Sequence, residues 1–361
     1  MKIGLMTIHN ANNYGAVLQA YALKEALKEF GEVEIIGYDN RHISISLDFI
    51  RFGFSFHHLL GMCKDICRLF PRIRAIRKFN EFINNQMDVV SYDENRDYSD
   101  LDFCIAGSDQ IWNPSCISAD KKFNDMYFLQ LNNAKFTKVS YASSCGAHNF
   151  SVLEEDYLES KLSSFKSLSV REKSTAENLT RIVGRKVSHV LDPTLLLNKD
   201  EWLSRFVLED KKEDYILLYF IKKTPLLKAT VKYFSDKLKL KVITVNQGLS
   251  AGVKVDEHIR DAGPNDFINL FNNAAFVITD SFHGTTFSVN FHKNFVAVSP
   301  GPNVNRIQSL LTILNLENRI MHTEKDIISA NLNIDYVEPN KLLIDQVALS
   351  KNYLKTAFVI D

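Results

Sequence analysis

Apolar and polar positions come in blocks along this chain. Residues 2–7 form a short apolar run, and a polar loop from His9 to Gly15 follows. From about Ala16, the apolar positions Val17, Leu18, Tyr21, Ala22 and Ala26 recur at helical spacing. Residues 32–38 are apolar again. Strand, loop, helix, strand with near-continuous apolar runs is the opening of a parallel α/β sheet, whose inner strands are buried on both faces. Further strands are expected at 101–106, 138–142, 167–170 and 187–191, each running into a polar or glycine-containing loop. A connector with a short helix at 195–212 leads into a second series. There, strands are expected at 215–221, 241–246, 275–279 and 294–298, and helices at 225–238, 264–273, 285–291, 306–314 and 340–357.

The expected architecture is α/β, with two Rossmann-like domains facing a cleft. They are assigned to residues 1–195 and 196–335, and a closing helix in 336–361 is expected to pack back toward the first domain. Ligands of open parallel sheets bind beyond the C-terminal strand ends. Residues 49–86 differ. They are helical in pattern and basic, with Arg51, Lys64, Arg68, Arg72, Arg74, Arg77 and Lys78 against Asp65 and Glu81. The segment is expected to be an insertion in the first domain that packs its Leu, Ile and Phe side chains on the sheet. The competing reading is a surface for an anionic membrane or a lipid-linked substrate.

Charge adds an exclusion. The chain of 361 residues has 43 Lys plus Arg and 43 Asp plus Glu, so its net charge is zero, unlike that of a duplex nucleic-acid binder. The five cysteines are scattered and odd in number, which reads as free thiols in a reducing, cytoplasmic setting. Cys63 and Cys67 lack a second ligand pair at zinc spacing, so no metal is expected. No apolar stretch approaches the length of a spanning helix.

Four strand-end constellations could carry chemistry. The loop from His9 to Gly15 offers Asn12, Asn13 and Tyr14 at a helix start, where backbone N–H groups bind anions or hydroxyls. It is otherwise a plain polar turn. After the strand at 101–106, Asp109 and Gln110 could bind sugar hydroxyls and Trp112 could stack on a sugar ring; alternatively Trp112 is core and Asp109 a cap. Arg171 could clamp a carboxylate or phosphate, or sit in an ion pair. Ser281, His283, Gly284 and Thr285 stand at the start of a helix, and an imidazole there is placed to donate its N–H to a ligand.

Taken in order, MTIHNANNYGAVLQAYAL, FCIAGSDQIWNP, SVREKSTAENL, VLDPTLLL and ITDSFHGTTFSVNF resemble the polysaccharide pyruvyltransferase family over roughly residues 1–320. The resemblance implies a GT-B-like fold and an enzyme that moves pyruvate from phosphoenolpyruvate onto a sugar of a surface polysaccharide, as a ketal. It implies no cofactor beyond that donor substrate. His283 matches the family's histidine and becomes the candidate general acid. Arg171 matches its N-terminal arginine and becomes a donor clamp, with Ser281, Gly284, Thr285 and Arg306 as further donor contacts. Asn12, Asn13, Tyr14, Asp109, Gln110 and Trp112 are the expected acceptor contacts. Many members carry an arginine just before the histidine; here none does, and Arg306 is the nearest cation that can substitute.

The expected partner is a saccharide, which can be lipid-linked at the inner membrane face; no nucleic acid is expected, and the oligomeric state stays open. The alternatives are a GT-B nucleotide-sugar glycosyltransferase and a non-catalytic sugar-binding protein of a polysaccharide assembly complex. The first is disfavoured because the only acidic residues between Asp261 and Glu317 are Asp266 and Asp280.

Overall fold

The computed structural model describes residues 1–52, 56–206, 214–301 and 304–359. Residues 207–212 of the expected connector lie outside the described residues; its short helix is seen at Lys199–Arg205. The chain divides into two compact units. Unit 1 combines Met1–Ile45, Ile83–Leu197 and the residues from Ile344 onward, and unit 2 combines Ser46–Phe82 with Asn198–Leu343.

Unit 1 contains the strands β1 (Lys2–Met6), β2 (Glu32–Gly37), β3 (Val89–Ser91), β4 (Phe103–Ala106) and β5 (Thr137–Ser140), in the sheet order β3-β2-β1-β4-β5. All neighbours are parallel, with Ile3 opposite both Val33 and Phe103. A small pair, β6 (Ser169–Val170) and β7 (Ser188–His189), follows. The central β1 reads as an apolar run because Ile3, Leu5 and Met6 are wholly buried. The helix Tyr14–Leu27 starts where Asn13 caps it, its side-chain oxygen accepting from the N–H of Gly15 at 3.0 Å.

Unit 2 contains β8 (Tyr215–Tyr219), β9 (Lys241–Val245), β10 (Glu257–Ile259), β11 (Phe276–Thr279), β12 (Asn294–Val298) and β13 (Ile320–Met321). The order is β10-β9-β8-β11-β12-β13, again all parallel. The edge strands β3, β10 and β13 were not expected. They are two or three residues long, too short to leave a pattern in the sequence.

In both sheets the strand order reverses once, at β1/β4 in unit 1 and at β8/β11 in unit 2. Connections leave such a point in opposite directions and open a crevice at the C-terminal strand ends.

The basic segment belongs to unit 2, which corrects its assignment to the first domain. Its helices are Phe56–Cys67 and Leu69–Gln86. Asp65 is fully buried and accepts from both Arg51 (2.8 Å) and Arg68 (2.7 Å). Arg68 also donates to the carbonyl of Gln247, just past β9, at 2.8 Å. Arg74 pairs with Asp261 and Lys78 with Asp266. Ile76, Phe79 and Phe82 are buried as expected, whereas Leu59, Leu60, Ile66 and Phe70 are exposed.

The last long helix, Val337–Ala357, serves both units. In unit 1, Ser350 accepts from the N–H of Leu191 at 3.0 Å, and the Tyr353 hydroxyl donates to the Ser140 carbonyl at 2.8 Å. Among the described residues no helix is long and apolar enough to cross a membrane.

Candidate active site

At the unit 2 switch point, β11 ends at Thr279, whose hydroxyl accepts from the N–H of Ser281 at 3.0 Å. Ser281 then caps the helix Phe282–Asn290, its hydroxyl accepting from Gly284 N at 3.3 Å. The helix begins three residues earlier than expected, so His283 lies inside its first turn. Gly284 is required for packing: a Cβ there would come within 2.1 Å of the Thr279 hydroxyl. Without that side chain, the helix can seat directly on the strand end.

Asp280 ties the two strands that flank the crevice. Its carboxylate accepts from the N–H groups of Ile221 (2.6 Å) and Lys222 (2.8 Å), immediately beyond β8. Burial pushes its pKa up, against those two bonds.

His283 is 7% exposed, and its ring meets the edge of Phe282 at 5.3 Å. Arg306, from the helix Val304–Ile313, lies over the same Phe282 ring at 5.8 Å. Arg306 and His283 thus both border the Phe282 ring. Thr285, expected as a donor contact, is wholly buried, and its hydroxyl is spent on the Ser281 carbonyl at 3.0 Å.

The unit 1 switch point is built differently. The Thr7 hydroxyl after β1 donates to the Ser108 carbonyl after β4 at 2.9 Å, joining the two loops. Gln19 reinforces the joint by donating to Thr7 and to the Ile8 carbonyl, both at 3.1 Å. Asn13 is exposed, Asn12 and Gln110 are half-buried, and Tyr14 is buried. Asp109 has a left-handed backbone, φ 69°, which turns its carboxylate toward Arg171 at 3.2 Å.

Two expectations fail here. Trp112 is wholly buried, donates its ring N–H to the Tyr127 carbonyl at 3.0 Å and stacks on Phe128 at 5.7 Å. It is core and cannot stack on a sugar. Arg171 is 3% exposed and faces Asp192 (2.8 Å), Asp109 (3.2 Å) and Glu172 (3.5 Å). Burial works against its charge, but Asp192, Asp109 and Glu172 outweigh burial and raise its pKa. One cation held among these carboxylates is a buried structural knot, its guanidinium already engaged within unit 1. Sequence reasoning missed Asp192 and Ser108 as its partners. Both lie at strand ends, but their convergence needs the strand order, which is not written locally.

No group of three or more His, Cys, Asp and Glu suited to a metal ion occurs among the described residues.

Solved structures similar to the chain are nucleotide or nucleotide-sugar complexes by name. The S. aureus MnaA–UDP co-structure aligns with a TM-score of 0.51 at 10% identity, over 98% of this chain and 92% of that one. UDP-GlcNAc 2-epimerase from Neisseria meningitidis gives 0.47 at 10% identity, over 100% and 95%. E. coli heptosyltransferase WaaC with ADP gives 0.39 at 10% identity, over 97% and 100%. The first supports a GT-B-like fold, α/β with parallel sheets in two domains. No curated protein matches the chain. The model of the polysaccharide pyruvyl transferase family matches residues 13–302, a span that opens on the cap Asn13 and includes the whole β11 motif. With that match, the chain is a transferase and belongs to the polysaccharide pyruvyl transferase family.

Proposed function

We propose that this transferase moves the pyruvyl group of phosphoenolpyruvate onto two hydroxyls of a saccharide, forming a ketal in surface polysaccharide synthesis. The observation that carries the reading is that His283 and Phe282 open the helix just beyond β11, with Arg306 over the Phe282 ring. The donor carries a carboxylate and a phosphate, so it needs a cation and N–H groups. Arg306 and a helix start supply both. The unit 1 knot, rich in carboxylates, disfavours the same ligand.

In the chemistry proposed, His283 protonates the methylene carbon of the enol. Positive charge develops at the adjacent carbon, one sugar hydroxyl attacks it, and the carbon–phosphate oxygen bond breaks. A second hydroxyl closes the ketal. Of the two hydroxyl protons, one replaces the proton His283 gave and the other leaves with phosphate. Ser281 positions the helix start through its cap, and Gly284 lets the helix sit against the strand. The sugar is one acted on at the cytoplasmic side of the membrane.

The test is to incubate the protein with phosphoenolpyruvate and candidate saccharides in deuterated water. Phosphate release with deuterium in the product's methyl group supports the reading. Product without solvent deuterium rules out protonation of the enol and favours a glycosyltransferase.

A further inference from the structure

The helix Phe56–Cys67 and the turn after it are inside out. Leu59, Cys63, Ile66 and Phe70 recur at intervals of four, three and four residues, one stripe of a helical surface. That stripe faces solvent: Leu59 is 54% exposed, Ile66 56% and Phe70 76%, and Cys63 is exposed. Leu60 and Cys67 widen it, and Phe52 stands nearby in sequence at 70%. The polar stripe, Asp65, Arg68 and Arg72, is the buried one. An ordinary surface helix does the reverse, because apolar area left in water is unfavourable.

The anchoring contacts hold this orientation. Arg51 and Arg68 grip Asp65, and Arg72 donates to the carbonyls of Ser46 (2.8 Å) and Asp48 (2.6 Å). Arg51, Arg68 and Arg72 surround one carboxylate, so the layer beneath the apolar stripe carries surplus positive charge. Lys64 flanks the stripe. Burial, then Arg68, Arg51 and Lys223, depress its pKa, the mark of a positive local field.

The geometry points to this face as a membrane-docking surface for an anionic lipid bilayer. The apolar side chains enter the headgroup–acyl boundary, and the positive layer behind them attracts the anionic headgroups. The surface rests on no assumption about the donor or the reaction.

The test is flotation of the full chain with vesicles of phosphatidylcholine, with and without phosphatidylglycerol. The expected result is binding that needs phosphatidylglycerol and weakens with added salt. Ile66→Ser with Phe70→Ser should lower partitioning about 100-fold, from two partly buried side chains. The melting temperature and phosphate release with a soluble acceptor should stay unchanged. In the unsubstituted chain, a polarity-sensitive dye on Cys63 and Cys67 should shift to the blue when vesicles are added. No flotation, unaltered flotation of the double variant, or unshifted dye emission overturns the proposal. So does a self-associated wild type that the double variant turns into a monomer, which would make the occupant a second copy of the chain.

Discussion

The two switch points begin from the same ingredients and end as different devices. In each, a strand runs into a hydroxyl residue and an aspartate: Ser108 and Asp109 after β4, Asp280 and Ser281 after β11. Asp109 meets a buried guanidinium, so unit 1 closes its crevice with an internal ion cluster. Asp280 meets only backbone N–H groups, so its charge joins β8 to β11 without consuming a cation. Arg306, from a later helix, lies over the Phe282 ring. The lesson is that the strand-end motif does not fix its own use: what the aspartate is paired with decides whether it ties backbone to backbone or holds a buried cation.

The largest effect expected is on turnover. His283→Gln keeps the ring's approximate volume, so the fold should persist while turnover falls about 10²–10⁴-fold. The limb of the pH–rate profile that reports a protonated group should vanish. Near-normal turnover would move the acid to Asp280 or a water.

Next is the unit 1 knot. Arg171→Met strands the Asp109, Glu172 and Asp192 carboxylates in the interior and should cost about 3–5 kcal/mol in denaturant unfolding. An unchanged unfolding midpoint would break the comparison, because Arg171 would then be free to serve a ligand. Arg306→Ala is the mirror test. It should leave stability within about 0.5 kcal/mol and weaken donor binding by about 1.5–3 kcal/mol. The smallest effects concern the two caps. Asn13→Ala and Ser281→Ala should each cost about 1 kcal/mol of stability. Only Ser281→Ala should also raise the donor KM, and equal effects on KM would remove the distinction between the crevices.

Much of the fold is legible in the sequence because buried parallel strands read as apolar runs. The strands at 241–246, 275–279 and 294–298 and the helices at 225–238 and 264–273 match those seen nearly residue for residue. What stayed hidden depends on partners far along the chain. Trp112 after a strand looks the same whether it meets a sugar or Phe128. Arg171 gives no local sign that Asp109 and Asp192 will converge on it. In the helix Phe56–Cys67 the period shows a stripe, but nothing local tells that Asp65 and Arg68 will face inward. After β11 a helix start was legible, though expected at 285 and seen at Phe282, whereas Tyr219, whose hydroxyl bonds Ser281, came only with the strand order.

The division of the chain bears on how the molecule is made. Residues 46–82 leave the ribosome well before 198–343, with which they form unit 2, and unit 1 gains its last helix only after Ile344. Ser140 and Leu191 therefore wait for Tyr353 and Ser350 until 213 and 159 further residues have been added. Vectorial folding, one domain after another, is unavailable to such an interleaved chain. A fragment ending near residue 197 would carry Asp65 and its arginines without Gln247 to anchor them.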